Sequence, residues 1–321
     1  MKKALGLVMA TALTLWASSA NAAYPEKSVT IIVPYAAGGV TDTIARIVGQ
    51  NLSETWGKQV IIENKPGAAG AIGVATAIKA RPDGYTLLFS TSSEITVNPA
   101  VYKKLSYDPL TQLRPIRKMA SMPMAWVVNK NVPITSLEEL VTKAKAEPGK
   151  ITYSSVGNGS VNHLAGEMFA AATGIKLLHA AYNGGAPATT AVVSGEVMLG
   201  MVTYSSALPF LKTGDIRMLG VTTQKPPAAD PGARTIGGNM IPGYDVATWL
   251  GVYAPVKIPQ DIAETVGRAI DQALKDPKVT ESLTRQGFTT LILKDEELRA
   301  QITKDIAQFK KVAADLNLYL D

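Results

Sequence analysis

Short β-type runs alternate with helix-period stretches along most of this chain, and that alternation restricts its fold more than any other feature. Val29–Val33 precedes a helical pattern over Thr41–Trp56, and Val60–Asn64 precedes another over Ala69–Ala80. Leu87–Ser90 then follows the turn Pro82-Asp83-Gly84. Strands separated by helices can lie parallel, so this order predicts an α/β unit with a parallel sheet covered by helices. A second series begins at Met124–Asn129. Ser136–Ala146 reads as a helix with Ser136 as N-cap and Glu139 completing a capping box. Strand Ile151–Ser154, helix Asn162–Thr173, strand Leu177–Ala181 and helix Ala186–Ser194 follow. Strand Val197–Val202, helix Ser205–Thr213 and strand Met218–Thr222 complete the series.

Residues 224–243 are rich in Pro and Gly and read as a loop, and Thr248–Tyr253 is one more strand. The chain closes with amphipathic helices over Pro259–Leu274, Lys278–Gln286 and Glu296–Leu316. They have no sheet of their own, so they are expected to return to the first unit. The expected lobes are residues 23–121 with 248–321, and residues 122–247. The chain crosses between them near Ala120–Met124 and Val246–Tyr253. Two lobes joined by two strands can hinge, and the cleft between them is the expected ligand site.

Residues 1–22 read as a secretory signal peptide. Lys2 and Lys3 precede an apolar run from Ala4 to Trp16, and Ala20-Asn21-Ala22 is a small-residue cleavage site. A periplasmic protein starting near Ala23 or Tyr24 is expected. The chain has no cysteine, which excludes disulfides, thiol nucleophiles and thiolate metal sites. Its two histidines, His163 and His179, lie too far apart for a His-rich metal site, so neither metal nor cofactor is expected. The net charge is +6, and its Lys and Arg residues are scattered among acids. No basic run interleaves with aromatics, so nucleic acid is not an expected partner.

Two turns carry the functional reading. Tyr35-Ala36-Ala37-Gly38-Gly39 joins a strand to a helix beginning near Thr41. Gly157-Asn158-Gly159-Ser160 does the same in the second lobe. Free N–H groups at a helix start, at the positive end of its dipole, suit a carboxylate or phosphate. The bland alternative for each is a tight turn or an ordinary cap, since Ser160 and Asn162 are good N-cap residues. One such turn per lobe, each at a strand C-terminus, favours a pincer around an anion. Thr91, Ser92 and Ser93 would line the same edge, with Glu94 beside them as an acid that repels an anion unless it faces away or meets a donor group on the ligand. Asp42 reads as structural, and Gly67, Gly70 and Gly73 read as close helix packing, with a turn that can also face the cleft. His163 lies close behind Gly157–Ser160, where a satisfied imidazole competes with a ligand contact. No G-x-S-x-G elbow is present, so an exported hydrolase is disfavoured.

Together these segments resemble the Bug-type receptors of tripartite tricarboxylate transporters. The resemblance is carried by Pro34 to Asp42, Glu63 to Gly70, Pro82 to Leu88, Asn98-Pro99 and Tyr153 to Ser160, with His163 to Glu167, Ser206 to Pro209 and Leu250 to Pro255. It implies a type II periplasmic-binding-protein fold, with two α/β lobes that close on a small carboxylate. It also implies that Tyr35 to Thr41 and Thr91 to Ser93 hold one end of the ligand and Gly157 to Ser160 the other. Members often carry an aspartate where this chain has Val202-Thr203-Tyr204. In amino-acid-binding members that aspartate can pair with a ligand ammonium, so its loss favours a ligand without an amine. Val202, Tyr204 and Trp249 would then form an apolar or aromatic wall, unless Tyr204 and Trp249 belong to the core. An aromatic or aliphatic dicarboxylate, terephthalate-like, is the expected ligand. The expected protein is a monomer, without enzymatic activity, that delivers its ligand to inner-membrane transporter subunits or presents it to a sensor-kinase ectodomain.

Overall fold

The structure is a computed structural model and describes residues 24–182 and 184–320. The expected signal peptide lies outside the described residues. The first lobe opens with β1 (Val29–Val33), α1 (Val40–Trp56), β2 (Val60–Asn64), α2 (Ala71–Ile78) and β3 (Thr86–Thr91). A short wide turn over Ser93–Val97 leads to α3 (Asn98–Val101) and α4 (Pro109–Gln112). Next come β4 (Leu113–Asn129), α5 (Leu137–Ala146), β5 (Thr152–Ser155), α6 (Val161–Thr173) and β6 (Leu178–Ala181). Then follow α7 (Gly185–Ser194), β7 (Leu199–Thr203), α8 (Tyr204–Thr213), β8 (Ile216–Val221) and α9 (Ile236–Asn239). The last elements are β9 (Ala247–Pro255), α10 (Gln260–Ala273), α11 (Pro277–Arg285), β10 (Thr289–Lys294) and α12 (Asp295–Asp315).

Strands β1, β2 and β3 pair in parallel, as do β5, β6 and β7. The sheets are nevertheless mixed. β9 runs antiparallel to both β3 and β4, and β4 runs antiparallel to β7, β8 and β10. The type II periplasmic-binding-protein fold is therefore two parallel α/β cores joined through antiparallel strands. β4 makes the first crossing without a break: it pairs with β9 up to Pro123 and with β7 from Met124 onward.

Only the second half of β4 was expected. Its first half carries Pro115, Pro123 and three cations, which read against a strand. The register shifts just after Pro115, where a bulge spares the missing N–H. Two of the cations are paired, Arg114 with Asp295 at 2.6 Å and Arg117 with Asp271 at 2.9 Å. β10 was also unexpected, although Thr289-Thr-Leu-Ile-Leu293 is a β-branched run of the kind that forms strands.

The closing helices divide between the lobes. Val266, Ile270, Val279 and Leu283 of α10 and α11 pack with β1 and α1 in one buried cluster. α12 begins against β1 and α2 through Leu298, Ile302 and Ile306. Its last turns place Phe309 and Ala313 in the second-lobe core with Trp126 and Phe169. A helix of this length is roughly 30 Å long, enough to reach both cores, so α12 is not confined to the first lobe.

Thr222 ties the two crossings together. Its hydroxyl donates to the Val246 carbonyl at 2.6 Å and accepts from the Met124 N–H at 3.0 Å. Both groups are buried at the point where β4 changes sheets. Thr222→Val keeps the shape but strands both partners, at a cost of roughly 1–3 kcal/mol. We expect a lower melting temperature by calorimetry, with Thr222→Ser restoring most of it.

Candidate functional site: a cleft between two glycine turns

A cavity of about 420 Å³ lies between the lobes. Tyr35, Ala36, Gly67, Gly70, Ser93 and Glu94 line it from the first lobe, and Val156 to Ser160 line it from the second. Tyr102 and Leu320 also face it. The Leu320 N–H donates to the Val101 carbonyl at 2.8 Å, so the end of the chain is stitched to α3. A Cβ on Gly159 would lie 2.9 Å from the Leu320 side chain, which therefore presses on the second-lobe turn. No sequence signal pointed to Leu320.

Each turn is built by its own residues. Gly38 has φ +85° and Gly159 has φ +69°, a region that glycine enters without strain. Gly73 allows α2 to approach the first turn, because a Cβ there would lie 2.8 Å from the Pro34 backbone. The expectation of close helix packing at this position holds, and the Gly67–Gly70 turn also faces the cleft.

The N–H groups of these turns are less free than the sequence suggested. Asp42 is buried and accepts from the Gly38 N–H at 2.8 Å, from Arg46 at 3.0 Å and from Asn64 at 2.9 Å. Burial works to raise its pKa, but the hydrogen bonds from Arg46, Gly38 and Asn64 outweigh it and hold the carboxyl below its ordinary value. In the second lobe the Gly157 N–H goes to Ser155 Oγ at 3.2 Å and the Gly159 N–H to His163 Nδ1 at 3.2 Å. Ser160 is the N-cap of α6, accepting from the His163 N–H at 3.1 Å. At the start of α1, by contrast, Gly39 is the N-cap and no side chain caps the helix. That helix start keeps its orphan donors and its dipole for an incoming anion.

The expected site residues separate into groups. Tyr35, Ala36, Ser93, Gly157, Asn158, Gly159 and Ser160 line the cavity. Ala37, Gly38 and Gly39 are exposed on the first turn, and Thr41 is half-buried beside them. Thr91 and Ser92 are buried behind the wall: Thr91 bonds Tyr35 and Glu94, and Ser92 Oγ meets the Trp249 N–H at 3.4 Å. His163 is buried behind the second turn, stacked on His179 with ring centres 3.7 Å apart.

Four expected site residues, three of them the expected wall, lie elsewhere. Val202 is fully buried on β7, packed with Ala188 and Ala207 in a second-lobe core, and Tyr204 belongs to the same cluster. Thr203 caps the approach to α8, donating to Ser206 Oγ at 2.8 Å. Trp249 is buried in the first-lobe core with Ile32 and Leu88. The β-strand alternation turns Val202 and Trp249 inward, so neither forms a wall of the cleft.

Glu94 is the residue whose place was left open, and it faces the cavity. Burial raises its carboxyl pKa above the ordinary value, and hydrogen bonds from Tyr35, Ser90 and Thr91 offset only part of that rise. Tyr35 is raised well above its ordinary value, first by burial and then by the neighbouring Glu94.

The family described as "Tripartite tricarboxylate transporter family receptor" matches residues 44–318. Protein BugT of Bordetella pertussis is 29% identical over 312 residues, covering 97% of this chain and 95% of BugT. The structure of Rpa4515 from R. palustris with adipate is 31% identical, with a TM-score of 0.78, and covers 92% of this chain and 99% of that one. MatC from Rhodopseudomonas palustris with bound malate is 26% identical, with a TM-score of 0.72, and covers 90% of this chain and 99% of that one.

Proposed function

This chain belongs to the tripartite tricarboxylate transporter receptor family, of the Bug type, and on that premise we propose that it is an exported receptor that captures a small organic carboxylate by lobe closure. It hands the ligand to the membrane subunits of a tripartite transporter and performs no chemistry. The observation that carries the reading is the cavity itself, lined by a helix-preceding turn from each lobe. The relatives solved with adipate and malate support a carboxylate ligand. In this reading the uncapped start of α1 receives the carboxylate, and closure brings the Gly157–Ser160 turn down on the rest of the ligand. Among the described residues no helix is long and apolar enough to cross a membrane.

Which acid is bound is the finer question. The expectation of a dicarboxylate, made from the sequence, now has the two relatives' ligands as its support. The expectation of an aromatic, amine-free ligand rested on Val202, Tyr204 and Trp249, whose burial removes its basis.

A thermal-shift screen of mono-, di- and tricarboxylates against their amides tests the reading. A ligand bound only by the folded state at 100 times its Kd adds about 2.7 kcal/mol of stability. Acids are expected to raise the melting temperature and the matching amides to leave it unchanged. Equal shifts for acid and amide would rule out carboxylate capture.

A further inference from the structure

A set of donors in and just behind the first-lobe wall of the cleft already holds a carboxylate, and it is the protein's own. Glu94 Oε2 accepts from Ser90 Oγ at 2.8 Å, from Thr91 Oγ1 at 3.0 Å and from the Thr91 N–H at 3.2 Å. Its Oε1 accepts from the Tyr35 hydroxyl. Gly70 makes room for this side chain, since a Cβ there would lie 2.6 Å from Glu94 Cγ. A carboxylate offers about four acceptor positions, two on each oxygen. Oε2 shares its two positions among three donors, whereas Oε1 takes only the Tyr35 hydroxyl among these partners and so keeps a position, on a side chain that lines the cavity.

No lysine, arginine or histidine is among the described residues that line this cavity, and Glu94 is their sole ionisable acid. A second carboxylate beside it would meet like charge with no cation to offset it, at a cost that low dielectric magnifies. A hydroxyl or ammonium would instead fill the spare acceptor position.

We propose that Glu94 is a built-in carboxylate that fills the anion seat formed by Tyr35, Ser90 and Thr91, and that it selects ligands bearing a hydrogen-bond donor opposite their carboxylate. The favoured class is hydroxy- and amino-monocarboxylates, and a simple dianion of the same length is excluded. This refines the carboxylate-receptor reading and rests on it. Glu94 is thereby the ammonium partner that the sequence failed to find at Val202.

The test uses matched sets: adipate, 6-hydroxyhexanoate and 6-aminohexanoate, and succinate, 4-hydroxybutyrate and 4-aminobutyrate. Calorimetric titration of the wild-type protein at pH 7.5 is expected to favour the donor-ended acids at least tenfold within a set. Glu94→Gln is expected to reverse that preference towards the diacid. Tighter binding of the diacid by the wild type would overturn the proposal, and this comparison needs no variant to fold. An unchanged ratio in Glu94→Gln would also overturn it. If no acid binds either protein, the receptor reading fails separately. The seat itself is then tested by Glu94→Ala with formate: stabilisation of the variant but not of the wild type supports it, and its absence overturns it.

Discussion

Gly39→Trp is expected to fold normally and to lose ligand affinity at least 100-fold, about 2.7 kcal/mol of binding free energy. Gly39 has φ −74° and ψ 168°, which any residue adopts. A Cβ there meets only the Ala36 carbonyl oxygen, at an ordinary 3.6 Å, and the residue is exposed. The indole therefore projects from the turn without displacing the core. What it covers is the uncapped start of α1, which follows directly on the Tyr35-Ala36 wall of the cleft and has no side chain capping it. A bulky group there blocks the approach of a carboxylate while the dipole remains. Circular dichroism and melting temperature report the fold, and calorimetric titration with the best ligand from the screen reports binding. Wild-type affinity in this variant would place the carboxylate elsewhere. Gly38→Trp is a poorer probe, because φ +85° strains any side chain and would confuse a folding defect with a binding defect.

What the sequence made legible depended on how local each signal is. The period of apolar residues located α1, α6 and α10 to within a residue or two, because one buried stripe suffices to define such a helix. Ser160 was legible as a cap because its partner, the His163 N–H, lies three residues away. The first half of β4 was hidden because its prolines and cations contradict a strand locally. They are accommodated by a bulge and by Asp271 and Asp295, which lie far along the chain. The same reason explains the site. Bare N–H groups were inferred from glycine turns, yet Asp42 and His163 reach back to occupy Gly38 and Gly159. A glycine pattern reports that backbone donors can converge and says nothing of which side chain fills them. Glu94 was visible as an anomaly among Thr91, Ser92 and Ser93, but its contact with Tyr35 joins the ends of two strands and leaves no local signal in the sequence. Val202 was placed by the position of the family's aspartate, and Trp249 was left between a cleft wall and the core; the face of the strand puts both in the core.

The stacked pair His163 and His179 should make the protein less stable as pH falls from 7 to 5. Burial pushes the His163 pKa from its ordinary 6.5 down to about 4, helped by its neighbour His179. Burial alone takes His179 to about 4. Between about 4 and 6.5 the unfolded chain binds these protons and the folded chain does not, so stability rises with pH across that window. The contribution is complete above pH 6.5 and is lost progressively towards pH 4. Glu167, also beside the pair at 3.9 Å from His163 Nε2, has its carboxyl raised by burial and works in the opposite direction. Two histidines outweigh that one acid locally, while Asp305, raised by burial to about 6, and Glu94, also raised by burial, oppose the pair from the first lobe and the cleft. Each proton is worth ~1.4 kcal/mol per pH unit, which, after allowance for partial exposure and for Glu167, leaves roughly 1–3 kcal/mol between pH 6.5 and 5. The pair's own contribution to the melting temperature is therefore expected to be lower by roughly 5 °C at pH 5 than at pH 7, which the comparison with a variant isolates. His179→Gln removes one titrating ring and the like charge that depresses the other, while an amide can still meet Ser155 Oγ, now 2.7 Å from His179 Nε2. Its melting temperature should change with pH by less than half as much. A slope equal to that of the wild type would assign the acid sensitivity to other groups and leave the stacked imidazoles as packing alone.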